Sequence, residues 1–153
     1  MPSRFVYRRR VEFADTDMAG IMHFSSLFRF MESAEHAFIR SLGHSVTLND
    51  IDPTLGFPRV RAEADFRHPF RFEDEIEIEL TVRAKRRRSI TYGFKLRRAG
   101  DVERVVGAEG AITVVCVRKS PDGKIDVSDL PPELADKIMA HQEAEISPDD
   151  STI

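Results

Sequence analysis

Asp15 and Asp17 stand two residues apart in the run Asp15-Thr16-Asp17-Met18-Ala19-Gly20-Ile21-Met22-His23-Phe24, just ahead of a segment with helical periodicity. The first N–H groups of a helix lack partners inside it, and the helix dipole places partial positive charge at that end. A carbonyl oxygen gaining negative charge would be stabilised there, while a nearby carboxylate could attack the carbonyl or take a proton from water. That combination suits acyl transfer. The same aspartates could instead do no more than close Asx turns and cap backbone N–H groups, and spacing alone does not separate the two readings. A calcium loop fits worse, because the chain has Ser26 where the loop's last position requires a bidentate Glu.

Three other groups carry chemical potential. Lys85-Arg86-Arg87-Arg88 joins two strand-like runs, either as a solvated hairpin or as a clamp for phosphate oxygens, to which Arg presents paired donors. Glu32, Glu35 and His36 cluster on the helical segment, and Glu32 with His36 at i, i+4 could share a metal; with no further ligand in view, solvated or interface polar residues are the better account, and no metal site is expected. Cys116, the single cysteine, lies in the apolar run AITVVCV and reads as an inert core residue.

Positioning these groups falls to a mostly β chain with one long helix. Phe5, Tyr7, Val11 and Phe13 hold alternate positions and predict a first strand. From Leu27 the period changes: Leu27, Phe30, Met31, Ala34, Phe38 and Leu42 form one stripe of a helix from about residue 26 to about 42, with Ser25 or Ser26 as N-cap and Gly43 as stop. Alternation returns in Val60 to Phe66, Ile76 to Val82 and Ile90 to Leu96, and a more continuously apolar run from Val105 to Val117 predicts a central strand. Ser120-Pro-Asp-Gly is a turn, and Pro131 opens a shorter helix expected to reach about Ala144. A helix of about 25 Å can lie along one face of a curved antiparallel sheet, the other face carrying Glu75, Glu77, Glu79, Lys95 and Arg97. An edge strand left open would be answered by pairing with a second copy, so a homodimer at least, or a homotetramer of paired dimers, is expected.

The 153 residues, 41% hydrophobic and 32% charged with a net charge of -3, fit one domain over residues 1–145 and a fraying acidic tail over 146–153. No overall basic field draws nucleic acid, no apolar window is long enough for a membrane span, and the N-terminus lacks a signal peptide's apolar stretch, which together predict a soluble cytoplasmic protein.

The run VEFADTDMAGIMHFSSLFRFMESA resembles the N-terminal signature of the hotdog-fold 4-hydroxybenzoyl-CoA thioesterase-like family, through its D-T-D-x-x-G core and Glu32, and the strand order extends the likeness to about residue 118. The resemblance implies an α+β hotdog fold, a curved antiparallel sheet of about five strands wrapped around one long helix. It implies hydrolysis of an acyl-CoA or acyl-carrier-protein thioester to free acid and thiol, with Asp17 as catalytic carboxylate and the backbone N–H of Phe24 as the donor that polarises the carbonyl. Gly20 and His23 complete the candidate catalytic set, and Arg86, Arg87 and Arg88 are the candidate coenzyme A clamp; the coenzyme enters as part of the substrate, with no separate cofactor. Phe13 and Phe24 stand where the Tol-Pal-associated branch has tyrosine and histidine, and look more like the aromatic acyl-CoA branches; Glu73-Asp74 replaces the family's usual Gly-Asp. The alternative is a non-catalytic thioester-binding scaffold of the same fold, which a thiol-release assay would separate from the enzyme.

Overall fold

The computed structural model describes residues 4–138. β1 (Arg4–Arg10) is shorter than its alternation predicts, because the chain leaves the sheet at buried Val11 and turns into a 3-10 segment, Phe13–Asp15. The cause is local: the Asp15 carboxylate accepts the Glu12 N–H at 2.9 Å, and the Asp15 N–H donates to the Glu12 carbonyl at 3.0 Å. Phe13 is therefore an exposed turn residue rather than a strand residue.

The central helix, α1 (Ser26–Ser41), has the bounds its periodicity predicts. After it come β2 (Leu55–Gly56), β3 (Arg59–Phe66), β4 (Glu75–Lys85), β5 (Ser89–Arg98), β6 (Ala108–Val115), β7 (Val117–Lys119), β8 (Ile125–Val127) and α2 (Pro132–Ala135). Five strands form one sheet in the order β1-β4-β5-β6-β3, each neighbouring pair antiparallel. The inward residues of its middle strands, among them Ile78, Leu80, Tyr92, Phe94, Leu96 and Ile112, close on Leu27, Phe30, Met31, Ala34 and Phe38 of α1. Burial of each such side chain is worth about 1.5–3 kcal/mol, and the helix is held to the sheet by this stripe. On the outer face Glu79 pairs with Arg4 and Arg97, and Glu77 with Arg8 and Arg104, so the charges seen in the alternation form a surface lattice.

Three departures have physical causes. The run from Val105 enters the sheet only at Ala108, because the Asp101 carboxylate accepts the N–H groups of Glu103 and Val105 and holds the preceding residues in a loop. The helix expected from Pro131 closes after Ala135, with the N–H of Asp136 donating to the carbonyls of Leu134 and Pro132; residues 139–144, and the predicted tail, lie outside the described residues. A second sheet, β2-β7-β8, was not foreseen, since segments of two or three residues are too short to show a period. Cys116 falls between β6 and β7, fully buried as expected, and burial pushes its thiol above the ordinary range.

Candidate active site

The connection from Thr16 to Phe24 is a tight loop folded back on itself and tied to the sheet. Thr16 and Met22 pair as an antiparallel bridge, the Asp17 N–H donates to the Ile21 carbonyl at 2.9 Å, and the Met22 N–H donates to the Phe70 carbonyl at 2.7 Å. Gly20 sits at the exposed tip with φ +78°, a left-handed conformation that an L side chain rarely adopts, and its N–H donates to the Asp17 carbonyl. Its contribution is the shape of the loop.

The two aspartates divide the roles that spacing left open. Asp15 is buried, at 5% exposure, and braces the connection: its carboxylate holds the Glu12 N–H and lies 3.7 Å from Arg9, while its carbonyl accepts the His23 N–H at 2.8 Å and the Ser26 hydroxyl at 3.1 Å. Arg9 in turn lies over the Phe30 ring, 4.3 Å from its centre, which locks the brace to α1. Asp17 is only half-buried. One carboxylate oxygen closes an Asx turn on the Ala19 N–H at 2.8 Å, and the other has no hydrogen-bond partner among the described residues. Asp17 thus makes the turn and still offers an oxygen.

The start of α1 corrects the expectation of several free N–H groups. Ser25 occupies the N-cap without capping, because its hydroxyl and its N–H both turn to Nδ1 of His23, at 2.7 and 3.2 Å. The N–H groups of Ser26 and Leu27 donate to the carbonyls of His23 and Phe24. At this helix start the N–H of Phe24 has no acceptor among the described residues. The His23 ring is hydrogen-bonded to Ser25 and packs 4.6 Å from the Phe24 ring.

Asp17 and Phe24 line one cavity of about 410 Å³, walled by Leu27 of α1, Phe66 of β3, Ala108 of β6 and the loop residues Arg67, His68 and Phe70. Phe66 was legible as a strand residue but not as a wall, because its place on an outer strand is a matter of topology. The loop that brings Phe70 here carries Glu73 at φ +69°, with the Glu73 N–H on the Val11 carbonyl and the Asp74 carboxylate on the Arg71 N–H. Glu73 thus takes a left-handed conformation at the position where the family resemblance leads one to expect glycine.

The remaining candidates lie elsewhere. Arg86, Arg87 and Arg88 occupy the β4–β5 turn, at the end of β4 remote from Asp17; Arg87 and Arg88 share Asp129, and Arg86 is exposed. Glu35, expected to be solvated or at an interface, is 1% exposed, paired with Arg59 at 3.0 Å. Burial raises its carboxyl above the ordinary range against the opposing charge of Arg59, and one of its oxygens has no hydrogen-bond partner. Arg59 also binds Glu32 at 3.2 Å, so the two carboxylates share one guanidinium.

A long helix cradled in a five-stranded antiparallel sheet is the hotdog fold, shared with solved thioesterases. The chain belongs to the thioesterase-like superfamily, whose family model matches residues 11–138. It is 30% identical to a 1,4-dihydroxy-2-naphthoyl-CoA hydrolase of Nostoc punctiforme over 82% of either chain. A hydrolase of the same name from Prochlorococcus marinus is 31% identical, over 59% of this chain and 64% of that relative's length. Among solved structures, a gentisyl-coenzyme A thioesterase superposes with a TM-score of 0.73 at 30% identity, over 84% of this chain and 98% of that one. A 1,4-dihydroxy-2-naphthoyl-CoA thioesterase from Synechocystis gives a TM-score of 0.78 at 25% identity, over 88% and 95%.

Proposed function

We propose that the chain hydrolyses the thioester of an acyl-CoA, with an aromatic or other compact acyl group, to free acid and coenzyme A thiol. The observation that carries this reading is that Asp17, with one carboxylate oxygen unbonded among the described residues, and Phe24, whose N–H has no acceptor among them, line one cavity. With the thioester carbonyl oxygen on the Phe24 N–H, negative charge developing on that oxygen meets a donor that no protein acceptor has claimed; such donors contribute on the order of 3 kcal/mol to the transition state. Asp17 then acts as base toward water or attacks the carbonyl carbon directly. In either route the carbon–sulfur bond breaks, the thiolate leaves and takes up a proton, and water supplies the oxygen of the acid. The names of the relatives support an aromatic acyl group.

A homodimer paired along β3 belongs to this reading. β3 is an outer strand with one unpaired edge, and Val60 and Phe66, at 60% and 56% exposure, are the apolar residues that a second copy would cover. A cytoplasmic setting suits the lone buried cysteine.

The test is thiol release from benzoyl-CoA by the wild type and Asp17→Asn. Asparagine keeps an oxygen for the Ala19 N–H, so the turn and the thermal unfolding midpoint stay as they are. Turnover falls about 10²–10⁴-fold if the carboxylate does the chemistry. Wild-type-like turnover removes Asp17 from the mechanism, and tight binding of acyl-CoAs with no thiol released by the wild type favours the scaffold alternative.

A further inference from the structure

Phe66, Ala108 and Leu27 line the cavity, and the strand register and helix turn show which residues follow them deeper in the fold. Phe66 and Ala108 are partners in the β3–β6 register and make the cavity's floor, with Leu27 above. Two residues further along each strand, on the same face of the sheet, Ala64 and Gly110 are again partners. One turn beyond Leu27, on the same face of α1, is Met31, which is 0% exposed. These positions meet: a Cβ added to Gly110 would lie 2.6 Å from the terminal methyl of Met31 and 2.3 Å from the Glu63 carbonyl oxygen. Met31 therefore rests on bare backbone, in the space where a side chain of β6 would otherwise stand.

Behind this plug the chemistry changes. One further turn along α1 is Glu35, buried with one unpartnered oxygen and held by Arg59. An apolar tail that displaced Met31 would meet a buried ion pair, where its contact with charge gains nothing. Both the filled volume and the charge behind it oppose a long chain.

We infer that Met31, seated on Gly110, is the stop that ends the acyl cavity and sets the longest acyl group the enzyme accepts; this rests on reading the cavity as the acyl site. Phe24 and Met31 are seven positions apart, the last six of them, Ser26 to Met31, in α1, which places them about 10 Å apart along the axis at helical rise. A benzoyl, hydroxylated benzoyl or short alkanoyl group ends within that span. An extended dodecanoyl chain does not. Methionine is also an apt stop, since its unbranched thioether fills the irregular space over a glycine where a branched side chain would leave gaps.

The experiment compares kcat/KM for benzoyl-CoA and dodecanoyl-CoA in the full-length wild type, Met31→Ala and Met31→Val, with circular dichroism and thermal melts to establish folding. The valine variant removes less of the core and keeps the comparison available where alanine unfolds the chain. The wild type is expected to prefer benzoyl-CoA by at least about 100-fold, and a folded variant to narrow that ratio by about tenfold or more, mainly through a lower KM for dodecanoyl-CoA. A folded variant with the wild-type ratio overturns the stop. Comparable wild-type kcat/KM for both esters also overturns it and leaves the thioesterase reading standing, whereas a wild type that releases thiol from neither overturns both.

Discussion

At the scale of single residues, Glu73 meets a backbone demand that glycine would meet more cheaply. Its φ of +69° belongs to the region glycine enters freely and other L residues enter at a cost of roughly 1–2 kcal/mol. The conformation persists because both sides are tied, the Glu73 N–H to Val11 and the Asp74 carboxylate to Arg71. Glu73→Gly should therefore stabilise the fold. After the greater entropy of glycine in the unfolded chain, the net gain is on the order of 0.5 kcal/mol, a rise of roughly 2 °C in Tm for a domain of this size. A lower Tm would show that the exposed glutamate side chain contributes something the backbone argument misses. Legibility at this scale followed resemblance rather than contact. Asp17 and Phe24 stood out through the family resemblance of the D-T-D-x-x-G run, since a carboxylate two residues from another before a helix serves equally to close an Asx turn. What the sequence could not say is that Asp15 turns inward as a brace, or that Ser25 spends its hydroxyl on His23. Those outcomes depend on loop closure, which leaves the Phe24 N–H as the open donor.

At the scale of elements, α1 was readable almost to its ends because its apolar stripe is strict, yet one residue of the buried set broke the pattern. Glu35 is placed inward by the same periodicity that places Met31, and the sequence reading kept it polar and outward on the strength of its charge. The resolution is Arg59 at the start of β3, distant in sequence and therefore invisible to any local pattern. Desolvation outweighs Arg59 and leaves the folded-state carboxyl titrating above the ordinary value of 4.5. The sign follows from linkage: the folded protein holds this proton more tightly than the unfolded chain, so the group's stabilising contribution is complete below about 4.5 and is lost as pH rises through the raised value. Urea unfolding of the wild type and Glu35→Gln between pH 4 and pH 8 checks this, approximate limits that bracket the ordinary carboxylate range. The free-energy difference should move in favour of the glutamine variant with rising pH, Glu32 still holding Arg59. Parallel profiles would mean that Arg59 fully offsets the burial of the charge.

At the scale of the whole molecule, one disparity in the chain has a symmetric solution. The Arg86–Arg88 turn and the Asp17 cavity lie at opposite ends of β4, whose 11 residues span about 36 Å, too far for one chain to grip both ends of a compact coenzyme site. The basic turn is anchored beside the Arg59 end of β3, since the Cys116 N–H donates to Arg88 and the Val115 N–H to Pro58, while Phe66 at the other end of β3 walls the cavity. If two copies join antiparallel along β3, the Phe66 end of each lies against the Arg59 end of the other. The partner's basic turn is then carried toward the Asp17 cavity, and the clamp acts between subunits. Subunit mixing tests this. Chains carrying Asp17→Asn are refolded with an equal amount of chains carrying Arg86→Ala, Arg87→Ala and Arg88→Ala, and thiol release is measured at low acyl-CoA concentration. Half of the dimers are mixed, and each mixed dimer rebuilds one intact site from the carboxylate of one chain and the arginines of the other, so activity should recover to about a quarter of wild type. If the arginines serve their own chain, every mixed dimer has each site broken in one way or the other. The mixture then does no better than the average of its two parents, and the shared clamp is disproved.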